Sequence, residues 1–70
     1  MAALATCTVN RLNRQNLDQV DYENGFGVNE ESYQATILFF ENLKAYVVRT
    51  DNSKLFWVNI SVLSDITAIV

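Results

Sequence analysis

The chain has 70 residues, half of them apolar and 19% charged, with no proline, no histidine and a single cysteine, Cys7. That length fits one small domain over residues 1–70, and the apolar content excludes a disordered chain, which combines low hydrophobicity with high net charge. One cysteine excludes an internal disulfide framework, and without histidine neither a structural zinc site nor a histidine-based triad is expected.

Those exclusions bear on stability. A core of this size supplies only a few kcal/mol, and small domains make up the shortfall with disulfides, a metal or a partner subunit. Only the last is open to this composition, so a homo-oligomer is expected. No apolar run approaches the roughly 18 residues of a membrane span, and no membrane partner is expected. The apolar start, Met1–Cys7, has no basic segment before it and is short for a signal peptide. A free thiol suits a reducing compartment, which points to the cytoplasm.

Charge is segregated along the chain. Residues 1–14 hold Arg11 and Arg14 and no acid; residues 15–43 hold Asp18, Asp21, Glu23, Glu30, Glu31 and Glu41 and no base. Residues 44–70 set Lys44, Arg49 and Lys54 against Asp51 and Asp65, and the whole chain carries a net charge of −3. An acidic middle opposes non-specific nucleic-acid binding, which draws its affinity from lysine and arginine on phosphates. It reads as a solvated surface or as a docking surface for a basic partner.

In chain order, Val9, Leu12, Leu17 and Val20 fall on one stripe of a 3.6-residue period, which predicts an N-terminal helix. Thr6 or Thr8 is placed to cap it, and it should end before Asn24-Gly25, where glycine supplies a positive φ. From Gly25 the period becomes two. Phe26 and Val28 predict a short strand and Asn29–Ser32 a turn. Tyr33, Ala35, Ile37 and Phe39 then alternate with Gln34, Thr36, Leu38 and Phe40, a run that ends apolar on both faces. After a loop at Glu41–Leu43, Ala45, Val47 and Arg49 alternate with Tyr46, Val48 and Thr50. Asp51-Asn52-Ser53 is the clearest turn signal. Beyond it, Phe56, Val58 and Ile60 are assigned to the core, with Leu55, Trp57 and Asn59 on the opposite face. Ser61–Asp65 reads as a turn before a last strand, Ile66–Val70, whose β-branched content favours strand; the alternative is a helix with Val62, Ile66 and Ile69 on one face. Asn59-Ile60-Ser61 matches a glycosylation acceptor but falls within a strand-like run.

The expected class is therefore α+β: an N-terminal helix followed by a four- or five-stranded antiparallel meander forming a small barrel-like sheet. The alternative is an open antiparallel sheet with helices at both chain ends. Short hairpins preclude parallel crossovers, and apolar character on both strand faces favours closure. A helix and five short strands with a turn before the last resembles the element order of small SH3-like and Sm-like barrels. The glycine-and-aspartate pattern of an Sm second strand is missing, and no basic or Arg-Gly segment lies near Asn59.

Residues that carry chemistry are few. Acid–base work needs carboxylates with separated pKa values in a cleft; Glu30 and Glu31 sit in a predicted turn, and Asp21 and Glu23 at a helix end, all reading as solvated. Cys7 has only Arg11 nearby to lower its pKa and reads as a small buried hydrophobe. Gly25-Phe26-Gly27 lacks the further glycine and the Lys-Ser/Thr of a phosphate loop and reads as a bend. No catalytic, metal-binding or cofactor-binding residue is expected, and the chain is not expected to be an enzyme. Trp, Tyr and Arg dominate interface energetics; Tyr46, Arg49 and Trp57 supply one of each, and the uncharged end at Ile69 and Val70 offers a strand edge. The expected function is a small protein-binding or regulatory module acting by surface occupation. The alternative is a single-stranded nucleic-acid binder using Tyr46, Trp57, Lys44, Arg49 and Lys54, by stacking beside positive charge.

Overall fold

The computed structural model describes residues 3–11, 19–27 and 30–69. Five strands form one antiparallel sheet: β1 Ala5–Asn10, β2 Ser32–Glu41, β3 Lys44–Arg49, β4 Leu55–Asn59 and β5 Leu63–Ala68, in the order β4-β3-β2-β1-β5. A five-residue helix, α1, spans Gln19–Glu23, and a 3-10 turn at Ile60–Val62 joins β4 to β5. The fold is mostly β. No helix among the described residues is long and apolar enough to cross a membrane.

The expected N-terminal helix gives way to a strand. Val9, read as the first residue of a helical stripe, belongs instead to a period-two set: Ala5, Cys7 and Val9 are buried. The intervening threonines are β-branched and suit a pleated surface. Leu12 to Asp18 lie outside the described residues, and α1 ends at Glu23, immediately before Asn24-Gly25 as expected. Phe26 enters no strand; it packs over the sheet as part of the loop after α1.

The connection from β4 to β5 decides the shape of the sheet. These strands are its two edges, yet only three residues separate them. In a flat sheet of five strands the edges lie about 19 Å apart, whereas the chain from Asn59 to Leu63 reaches at most about 14 Å. The sheet must therefore coil, and two irregularities assist it. Leu38 is an extra residue in β2 between the pairs Ile37–Val47 and Phe39–Tyr46. In β5 the register against β1 shifts between Thr6 and Thr8, where Asp65 takes φ +52. Bulges increase local twist, and aspartate tolerates that conformation better than most residues. The Asn10 amide fixes the crossing by donating to the Val62 carbonyl at 2.9 Å and to Ser64 Oγ at 2.8 Å.

Coiling stops short of closure. No ladder joins β4 to β5 among the described residues, so the expected barrel is corrected to an open, curled sheet. The apolar character of both strand faces, which suggested closure, has two other sources. The bulge at Leu38 switches the phase of β2, and several large apolar side chains remain exposed, Leu55 and Phe40 among them. After β4, Ile60–Val62 form a turn and Leu63–Ala68 a strand rather than a helix, so the strand begins three residues earlier than Ile66. The turn begins at Ile60, which resets the alternation and leaves Ile60 38% exposed instead of in the core. Asn59 thus ends a strand and Ser61 lies in the turn, so the acceptor-like tripeptide is not inside a strand.

The concave face holds the core. Small residues (Ala5, Cys7, Ala35 and Ala45) line the tight side of the curl beside Val9, Ile37, Val47 and Val58, as the taper of a small coiled sheet requires. The loop after α1 roofs it: Phe26 meets the Tyr33 ring edge-on at 5.0 Å, and Tyr33 lies 6.3 Å from Phe56. Gly25, at φ +98, rests against Phe56 so closely that an added Cβ would come within 2.6 Å of the ring. Gly25→Ala is expected to lower stability by about 1–3 kcal/mol through overpacking and backbone strain. A lower denaturant midpoint with an unchanged m-value is the measurement that checks it.

Candidate functional site

Two groups of side chains stand out, one on each face of the sheet. On the convex face the register aligns Phe39 with Tyr46 and Tyr46 with Trp57 across three adjacent strands. Their ring centroids lie 5.1 Å (Phe39–Tyr46), 4.8 Å (Tyr46–Trp57) and 5.4 Å (Phe39–Trp57) apart. Tyr46 and Trp57 sit in a non-hydrogen-bonded pair: the flanking bonds Arg49 N to Lys54 O and Ile60 N to Leu43 O set that phase, which brings side chains closer. Such aromatic pairs contribute about 0.5–1.5 kcal/mol each beyond their buried area. The row remains accessible, with Trp57 40% exposed, and Leu55 flanks it.

Among the described residues, charge at the row is sparse. Lys44 and Glu41 are exposed beside it, and with Asn42, Leu43, Trp57 and Asn59 they line a shallow depression at the end of the β2–β3 hairpin. The rest of the convex face, over β1 and β5, is polar: the Gln34 amide donates to Thr8 Oγ1 at 2.9 Å, and the Thr8 hydroxyl donates to Asp65 at 3.4 Å.

The second group is centred on Arg49 on the concave face, which is 7% exposed. Burying a guanidinium is costly unless its donors and charge are matched, and here all five N–H groups have acceptors. Nε donates to Asp51 Oδ1 at 2.6 Å and Nη2 to Asp51 Oδ2 at 2.9 Å. Nη1 donates to the Gly25 carbonyl at 2.9 Å and to Glu30 Oε1 at 2.8 Å, and Nη2 also pairs with Glu30 Oε2. The guanidinium carbon stands 4.6 Å from the Tyr33 ring centre, a cation–π placement. Glu30 Oε1 also accepts the Gly27 N–H at 2.7 Å. One side chain of β3 thus fastens the loop that roofs the core. Hydrogen bonds from Arg49 hold the Glu30 carboxyl at about 2, and they keep Asp51 below the usual carboxylate range. Burial pushes the Tyr33 phenol up, and its hydroxyl donates to the Asn24 carbonyl. Burial likewise raises the Cys7 thiol.

The sequence-predicted interface residues are therefore dispersed. Tyr46 and Trp57 meet on the convex face, Arg49 lies on the concave one, and Ile69 is 50% exposed just past β5, bonded through its N–H to the Leu4 carbonyl at 3.0 Å. Val70 lies outside the described residues. Of the bases in the nucleic-acid alternative, Lys44 and Lys54 are exposed while Arg49 is committed to two carboxylates. Glu30, expected to be solvated, is an ion-pair partner, and Asp21, expected on the surface, is fully buried; Glu23 and Glu31 are exposed. Phe39 was not singled out from the sequence, because the bulge that turns it towards Tyr46 leaves no mark in the alternation. Arg49 did leave a signal: an arginine in register with Ala45 and Val47 implies a buried charge in need of acid.

Among the described residues, no group of three or more histidine, cysteine or acidic side chains is arranged to hold a metal. No family model, curated protein or solved structure matches the chain.

The Arg49 clasp makes stability acid-sensitive. Glu30 has a folded-state pKa of about 2 against an ordinary 4.5, so its contribution is fully present above about pH 4.5 and is lost as pH falls towards 2. Glu30→Gln is expected to flatten the dependence of the denaturation midpoint on pH in that window. Arg49→Ala should cost about 3 kcal/mol. Arg49→Lys should recover little of it, since an ammonium cannot span both carboxylates in one plane.

Proposed function

We propose that this chain is a non-enzymatic protein-binding module that acts as a homo-oligomer and engages its partner through the convex face of β2, β3 and β4. The observation that carries the reading is the accessible row Phe39, Tyr46 and Trp57, with Leu55 at its flank. Aromatic side chains of this kind anchor interfaces because they remove a large apolar area from water at small conformational cost. Here they are held rigid by a sheet and by one another, so little ordering remains to be done on binding. A cytoplasmic setting belongs to the same proposal and is supported by a sole cysteine that is free. Nucleic acid gains less support, since the rings turn against each other and, among the described residues, few positive charges lie beside them.

Capture from the native host with the immobilised chain is expected to enrich one stoichiometric partner that survives nuclease treatment. Trp57→Ala should abolish that enrichment while its circular dichroism stays that of the parent. Submicromolar, salt-sensitive binding to a random single-stranded oligonucleotide would overturn the proposal in favour of the alternative.

A further inference from the structure

The exposed apolar side chains are not spread evenly along the strands. Among the described residues, five of the nine large ones, Leu4, Phe40, Leu43, Ile60 and Ile69, fall at one end of the sheet. The backbone bonds place them there. Leu43 lies in the β2–β3 turn, and its carbonyl accepts the Ile60 N–H at 2.9 Å. Phe40 stands opposite Ala45, one pair in from that turn. Leu4 donates its N–H to the Ile37 carbonyl at 2.8 Å and accepts the Ile69 N–H at 3.0 Å, which brings the start of β1 and the end of β5 to the same end. Charge collects at the opposite end. Arg11 follows β1, Glu30 and Glu31 precede β2, and Arg49, Asp51 and Lys54 lie at the β3–β4 turn. The apolar end has Glu41 and Lys44, both exposed and opposite each other in the β2–β3 register. Among the described residues, neither is in an ion pair.

We infer that this end docks on the same end of a second copy, about a two-fold axis that passes between Glu41 and Lys44. This rests on the homo-oligomer reading above and names its surface. Area is the first argument. A half-exposed leucine, isoleucine or phenylalanine leaves about 100 Å² open, so the five leave roughly 500 Å². A stable dimer covers about 800 Å² on each partner, and about 65% of a homodimer interface is apolar. The exposed apolar area at this end therefore matches what one dimer needs. Charge is the second argument. A two-fold contact must be self-complementary, and an acid and a base on either side of the axis meet that condition: each Glu41 faces the Lys44 of the other copy. The contact is at the end of the sheet, so the Tyr46–Trp57 pair on the convex face stays available to a different partner.

Reversing the charges tests this. Glu41→Lys and Lys44→Glu each set like charges across the axis, and each alone is expected to raise the dimer dissociation constant about tenfold or more. An equimolar mixture of the two variants should pair again, because every cross-axis contact then joins a lysine to a glutamate. Light scattering reads the change between the chain mass of 7.9 kDa and twice that mass. Leu43→Lys, at a side chain 68% exposed, should also give single chains while circular dichroism stays that of the parent. A wild-type chain at single mass at high concentration overturns both this inference and the homo-oligomer reading. Sedimentation of that chain with phosphatidylcholine vesicles would then assign the apolar end to lipid. A paired wild type that Leu43→Lys and the single charge reversals leave paired keeps the oligomer and overturns the assignment of this end.

Discussion

Three residues, Ile60–Val62, carry the chain from one edge of the sheet to the other, and that short span constrains everything else. A flat arrangement is out of reach of the backbone, so the sheet coils and acquires a concave and a convex side. Small side chains collect on the tight side because larger ones would not fit there, and bulges at Leu38 and beside Asp65 absorb the excess twist. The aromatic row lies on the outer side of that curl, where none of the described residues covers it and Trp57 stays 40% exposed.

Coiling alone leaves one end of the core open, and the Arg49 clasp closes it. Acceptors from two stretches of chain converge on one guanidinium: the Gly25 carbonyl and Glu30 carboxylate of the loop after α1, and the Asp51 carboxylate of the β3–β4 turn. A charge so buried is stabilising only when every donor is matched, which makes the arrangement close to all-or-none. Loop, ring and salt bridges hold together. The two faces differ accordingly: the buried charge lies on the concave side, and the aromatic row on the convex one.

That difference also shapes the functional reading. Rigid aromatic rings beside an uncharged strand offer a large apolar area that is already ordered.

By itself the amino-acid sequence determined the local features: the alternation of β2, β3 and β4, the turns at Asn42 and Asp51–Ser53, the end of α1 before Gly25, and the placing of Trp57 opposite Phe56 and Val58. Each depends on side-chain periodicity or on residues that tolerate a particular φ, and such preferences act over a few neighbours. Only the tertiary structure decided the rest. Val9 fits a helical stripe and a strand equally well, and pairing with Tyr33 in β2 settles it as strand. The extra residue at Leu38 shows only against the register of β3, and the exposure of Ile60 follows from where the chain must turn to reach β1. Glu30 and Arg49 are nineteen positions apart. The alternation places Arg49 on the core side, but which acid meets it no local pattern records, because the two are brought together only when the core forms around the charge.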